Sequence, residues 1–135
     1  MTAATWERAS LGELVAATIE PFAADGRVHA EGPDLSLSPR QFLSVSMILH
    51  ELSTNALKYG VLCSPEGRVD IDWAVTDDEV TLRWTERGGQ QIAAPARSGF
   101  GSKMIALNVK HDLQGTSESR WDPDGLHFRL SFRRD

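Results

Sequence analysis

The 135-residue chain has one cysteine, Cys63, so neither an internal disulfide framework nor a cysteine-rich zinc site can form. It has no long apolar run, and segments of a few residues are far too short to span a bilayer. It has no excess of positive charge. Lys and Arg number 14 against 19 Asp and Glu, and a formal charge of −5 argues against the basic face that nucleic-acid binding needs. Met1 to Trp6 lack the charged and apolar regions of a secretory signal. Repeats, low-complexity stretches and a Pro/Gly/Ser-rich linker are also missing, so the length reads as one domain, 1–135, with its core over about 10–133. At this size about two-thirds of the unfolded surface is buried, enough to fold without a staple. The expectation is a cytoplasmic domain that touches neither nucleic acid nor membrane.

The local signals are those of helices followed by strands. Ser10-Leu11-Gly12-Glu13 reads as a capping box opening a helix to about Ala24, with Leu11, Leu14, Val15, Ile19 and Phe22 at helical spacing. Short extended pieces are expected around 28–30 and 35–37. A second helix is capped by Ser38, with Pro39 at its first position and Gln41 completing the box; it runs to about Tyr59 and stops at Gly60. Val69–Val75 and Glu79–Thr85 alternate apolar with polar residues, as half-buried strands of a hairpin do. Arg87 to Gly99 has no period and reads as a loop. A third helix is expected from near Ser102, with Met104, Ile105, Leu107 and Val109 mostly inward. Thr116–Trp121 and Leu126–Phe132 close the chain as a hairpin around Asp122-Pro123-Asp124-Gly125. The fold class is α+β, a two-layer sandwich in which a mixed, mostly antiparallel sheet packs on three helices.

Three segments carry chemistry. On the second helix, Glu51, Asn55 and Lys58 form a stripe at i, i+4, i+7, centred about 120° from the apolar one, at the edge of the buried face. An ordinary polar flank would look the same. A functional reading gives Asn55 an amide oxygen for magnesium, a hard ion that takes oxygen ligands. Glu51 could then order a metal-bound water or act as a base, and Lys58 could meet a phosphate as a point charge. Asn is a mediocre helix former, which favours a reason other than propensity for its place mid-helix.

Glu86 follows Trp84 at a strand end, and Gly88-Gly89 let a ligand approach the backbone. A carboxylate there accepts from the exocyclic amine of adenine and repels the oxygen of guanine. A surface Glu beside a turn is the plain alternative. Gly99-Phe100-Gly101 leaves bare amides before a helix, which suits phosphate. Neither a dinucleotide fingerprint nor a P-loop is present in Gly99-Phe100-Gly101-Ser102-Lys103-Met104. The four Trp read as core and rim packing. His29, His50, His111 and His127 have no metal-ligand spacing.

In this order, His50-Glu51-Leu52-Ser53-Thr54-Asn55-Ala56-Leu57-Lys58-Tyr59-Gly60, Trp84-Thr85-Glu86 and Gly99-Phe100-Gly101-Ser102 resemble the asparagine box and two glycine boxes of sensor histidine kinases. The branch resembled is the HWE branch, named for a His in the first box and a Trp-x-Glu in the second. The resemblance implies the ATP-binding sandwich shared with gyrase. It implies ATP and Mg2+ as cofactors, with Asn55 as magnesium ligand, Glu51 as catalytic acid/base and Lys58 near phosphate. Glu86 would meet the adenine amine, with Gly88, Gly99, Gly101 and Ser102 around the nucleotide and 87–98 as a lid. His50 and Trp84 are markers, expected to pack beside the site.

The implied activity is transfer of the γ-phosphoryl group to a His on a helical dimerisation hairpin, with a response regulator downstream. No such hairpin is present in these 135 residues. The acceptor would therefore come from a larger kinase or another protein, and self-phosphorylation by this chain alone is not expected. A non-catalytic docking module of the same fold and a serine kinase of the anti-sigma-factor type are the alternatives.

Overall fold

A computed structural model describes residues 9–22, 26–58, 61–63, 65–88 and 100–135. Helix α1, Leu11–Ile19, begins as its sequence requires, with the Ser10 hydroxyl accepting from the Glu13 amide at 3.2 Å. It ends earlier than the apolar spacing suggests. Pro21 cannot donate to the turn before it, and the chain tightens into a 3-10 turn at Glu20–Phe22.

Helix α2, Pro39–Lys58, is capped by the Ser38 hydroxyl, which accepts from the Gln41 amide at 3.3 Å. Gln41 does not complete the expected box. Its side chain is buried, donating to the Arg133 carbonyl at 2.7 Å and accepting from the Asp135 amide at 3.1 Å. The start of α2 is thereby fastened to the last strand. Tyr59 and Gly60 lie outside the described residues.

The main sheet has the order β2-β4-β5-β7-β6, formed by β2 (Val28–Glu31), β4 (Arg68–Thr76), β5 (Glu79–Arg87), β7 (Gly125–Arg133) and β6 (Thr116–Asp122). Only β2 and β4 pair in parallel. A parallel neighbour needs a long crossover, and α2 lies in the chain between the two. Ala9–Ser10 (β1) and Ser36–Leu37 (β3) form a separate two-stranded pair. The β4–β5 hairpin closes through Asp77 and Asp78, with φ of 49° and 67°, the mirror-image two-residue turn that suits strand twist.

One sheet face, carrying Val69, Ile71, Trp73, Val80, Leu82, Trp84, Phe128, Leu130 and Phe132, is buried with Val45, Ile48, Leu49, Leu52 and Ala56 of α2. Cross-strand partners Asp72 and Arg83 meet at 2.8 Å among the exposed residues. The architecture is the expected two-layer α+β sandwich.

Helix α3 starts at Phe100, two residues before the expected Ser102, and ends at Leu107. Asn108–Asp112 continue as a π-helix. Two positions separate Leu107 from Ile105, about 200° around an ordinary helix, so the two cannot face the same way. Ile105, Asn108, Val109 and Leu113 are buried, whereas Leu107, expected to be mostly inward, is 57% exposed.

Candidate functional site

The second half of α2 presents the polar stripe. Glu51 and Asn55, one turn apart, are both half-buried, as their angular position beside the apolar face dictates. Lys58 is exposed at the last turn, where a cation also suits the negative helix end. His50 does not pack beside them. It is exposed, because its angle places it on the outer stripe with Leu43, Met47 and Leu57.

Glu86 lies inside β5, not beyond its end, and its alternation with Trp84 turns it into the core. It is 1% exposed. One carboxylate oxygen accepts from the Val61 amide at 3.3 Å, the other from the Trp84 indole Nε1 at 2.9 Å. Burial pushes its pKa above the ordinary value of 4.5, opposed by the Trp84 and Val61 hydrogen bonds and by the charge of nearby His127. Trp84 is thus more than packing. Its donor is the feature that composition alone could not single out.

Residue Val61 is held through both of its backbone polar groups. Its carbonyl accepts from Arg27 Nη2 at 3.4 Å, while Arg27 Nε donates to the Gly67 carbonyl at 2.9 Å. A Cβ on Gly67 would sit 1.8 Å from the Val61 oxygen, so only glycine allows this approach. Gly125, with φ of 147°, also packs too closely for a side chain, its Cβ position 2.5 Å from the Glu86 carbonyl oxygen. None of Arg27, Val61 or Gly125 was anticipated as a supporting residue. The turn signal at Gly125 was visible in the sequence, but its distant partner was not.

These contacts gather two of the three sequence segments at one end of the molecule. Val61 follows Lys58 by three positions, so its bond to Glu86 joins the last turn of α2 to the end of β5. Helix α3 packs against α2. Gly101 and Ser102 fall in the first turn of α3, where backbone amides have no intrahelical acceptor. Of the lid expected over 87–98, Arg87 instead ends β5 and Gly88 is described, while 89–98 and Gly99 lie outside the described residues. Gly88 has φ of 75°, and its Cβ position is 2.8 Å from the Glu66 carbonyl, so local backbone geometry already calls for glycine there. Glu51 and Asn55 supply oxygen donors one turn apart, a set that fits a hard divalent ion.

One group of side chains escaped the sequence reading. The β6–β7 turn brings Asp122, Asp124 and His127 together, with His127 Nε2 3.2 Å from Asp122 and 3.8 Å from Asp124. Arg120 already pairs with Asp122 at 3.1 Å. An open depression of about 390 Å3, lined by Ser36, Asp78, Arg134 and Asp135, lies at the other end of β5 from Glu86. Among the described residues, no helix is long and apolar enough to cross a membrane.

The fold is that of histidine kinase catalytic domains. The histidine kinase domain of the Erythrobacter litoralis EL346 blue-light-activated histidine kinase superposes with a TM-score of 0.74 at 16% identity, over 92% of this chain and 59% of that one. The nucleotide-free catalytic domain of histidine kinase ThkA gives 0.72 at 15% identity, covering 94% of this chain and 95% of that domain. ThkA has also been solved with the response regulator TrrA, and in that complex the likeness is 0.71. In sequence, the chain is related to the blue-light-activated histidine kinase of Brucella ovis, 32% identical over 127 residues. That alignment takes in 90% of this chain, which spans about a quarter of the relative, 26% of its length. No family model matches the chain.

Proposed function

We propose that this chain is the catalytic ATP-binding domain of a sensor histidine kinase of the HWE branch. It binds Mg-ATP and transfers the γ-phosphoryl group to a His on a separate helical hairpin, from which a response regulator draws it. The observation that carries this reading is the Val61–Glu86 hydrogen bond, 3.3 Å, which brings a buried acceptor and the Asn55-bearing helix to one end of the sandwich.

Each residue has a task set by its chemistry. A carboxylate offers about four acceptor positions. Glu86 uses two on Val61 and Trp84, leaving others for the exocyclic amine of adenine. Asn55 and Glu51 would hold the magnesium ion, which neutralises phosphate charge when bound. Lys58 is a point charge for the phosphates, and the first-turn amides of α3, with Gly101 and Ser102, face the same demand. Glu51 would act as the acid/base or order a water. Phosphoryl transfer asks for positioning and charge neutralisation more than for covalent chemistry, which matches this donor set.

The test is to mix the chain with labelled ATP, magnesium and a helical hairpin carrying a phosphoacceptor His. Acid-labile phosphate on the hairpin is the expected result. Nucleotide binding without transfer, across hairpins that a related kinase does phosphorylate, would favour the docking-module reading.

A further inference from the structure

The indole of Trp84 has a polar end in a largely apolar layer, and that end meets Glu86, the one buried charged side chain among the described residues. Trp84 is 1% exposed and its Nε1 donates to Glu86 at 2.9 Å. A core position of this kind would ordinarily take Val, Ile or Leu, which pack without needing a partner. The opposite oxygen of Glu86 is fixed by the Val61 amide, and the carbonyl on the other side of the Val61 Cα is held by Arg27. Two donors on different oxygens define the plane of a carboxylate, where one would leave it free to rotate.

We propose that Trp84 is a specificity-positioning residue: with the Val61 amide, its indole N–H fixes the Glu86 carboxylate so that the acceptor positions left over discriminate adenine from guanine. This rests on the reading of Glu86 as the base-recognising group. Trp84 touches no nucleotide in this account; it acts through Glu86. Burial pushes the Glu86 pKa up, and the same hydrogen bond opposes that push, as does the Val61 amide, because both N–H donors favour the charged form. The charged and titratable groups around Glu86 are His127 of β7, Arg27 through the Val61 peptide, and Arg68 with the Arg87–Asp70 pair at the ends of β4 and β5. Of these, His127 acts directly on Glu86 and favours its ionised form.

The experiment compares wild type, Trp84→Phe and a chain with benzothienylalanine at position 84, which keeps the indole shape and lacks only the N–H. Glu86→Ala serves as the reference. ATP and GTP affinities are measured by calorimetry from pH 5 to 8, and the Glu86 carboxyl is followed by 13C NMR. Both position-84 variants are expected to lose roughly tenfold of the ATP-over-GTP preference. The acid limb of ATP binding should move to higher pH, together with the Glu86 titration. A structural role alone would lower stability and move the titration but leave the preference in place.

If wild type binds ATP and Glu86→Ala loses the preference, but the benzothienylalanine chain retains it, the positioning role is overturned and the functional reading stands. If wild type binds no ATP, or Glu86→Ala keeps the preference, the reading of Glu86 falls and this inference with it. Should Trp84→Phe fail to fold, the near-isosteric variant decides.

Discussion

A buried carboxylate costs free energy unless its surroundings favour its charge, and Glu86 is the residue where this balance is visible. Its pKa is raised by burial in spite of two hydrogen bonds. The native state therefore holds the proton more tightly than the unfolded chain does. The contribution to stability is fully present below the ordinary value of 4.5 and is lost as pH rises through the higher folded value. The stability of wild type relative to Glu86→Gln is expected to fall from about pH 4.5 upward and then level off, in urea titrations at stepped pH. A flat difference would mean that Glu86 is not desolvated. At this scale the sequence displayed the polar residues but not their surroundings. Glu51 and Asn55 stand where helical angle puts them, whereas the inward turn of Glu86 depends on the strand continuing past Thr85. The exposure of His50 follows from the same angular arithmetic that placed Asn55.

Elements were legible where one short-range rule decides and less so where the partner is distant. Ser10 and Ser38 cap their helices as expected, because a cap needs only the next three residues. Gln41 was assigned to its own helix end and instead ties α2 to the last strand, a contact 92 residues away that no local pattern announces. The same holds for Gly67. Its role is set by the Val61 turn, which comes within 1.8 Å of where a side chain would begin. Gly67→Ala is expected to cost about 3 kcal/mol, read by chemical denaturation, because the obstacle is backbone and cannot rotate aside. It should also break the bond from Val61 to Glu86, so that ATP affinity falls in molecules that remain folded.

Across the whole molecule, the sandwich unites residues from the middle of α2 with residues from the end of β5. A ligand held by both should stabilise the fold as a unit. With ATP at about a hundred times its dissociation constant, mass action supplies about 2.7 kcal/mol, a rise in Tm of roughly 5–10 °C for a domain of this size. The expected outcome is that this rise requires magnesium, vanishes with chelator, and is absent in Asn55→Ala, whose own Tm without ligand stays near wild type. A magnesium-independent rise would remove Asn55 from the metal. The fold class was readable from the order of helices and alternating strands. The parallel placement of β2 beside β4 was not, because pairing direction depends on a crossover that periodicity does not encode.

The π-wound stretch at Asn108–Asp112, with Leu113 donating to the Asn108 carbonyl at 3.0 Å, closes its hydrogen bond over one residue more than an ordinary helix does. Excising a single amino acid there would let the stretch regularise to ordinary winding, and the preceding helix would turn by far less than the ~100° that a deletion from a regular helix imposes. The extra residue is thus absorbed where it stands, and a frame-preserving loss of one codon is expected to be tolerated here, with positions 101 and 102 keeping their azimuth, as it would not be one turn earlier.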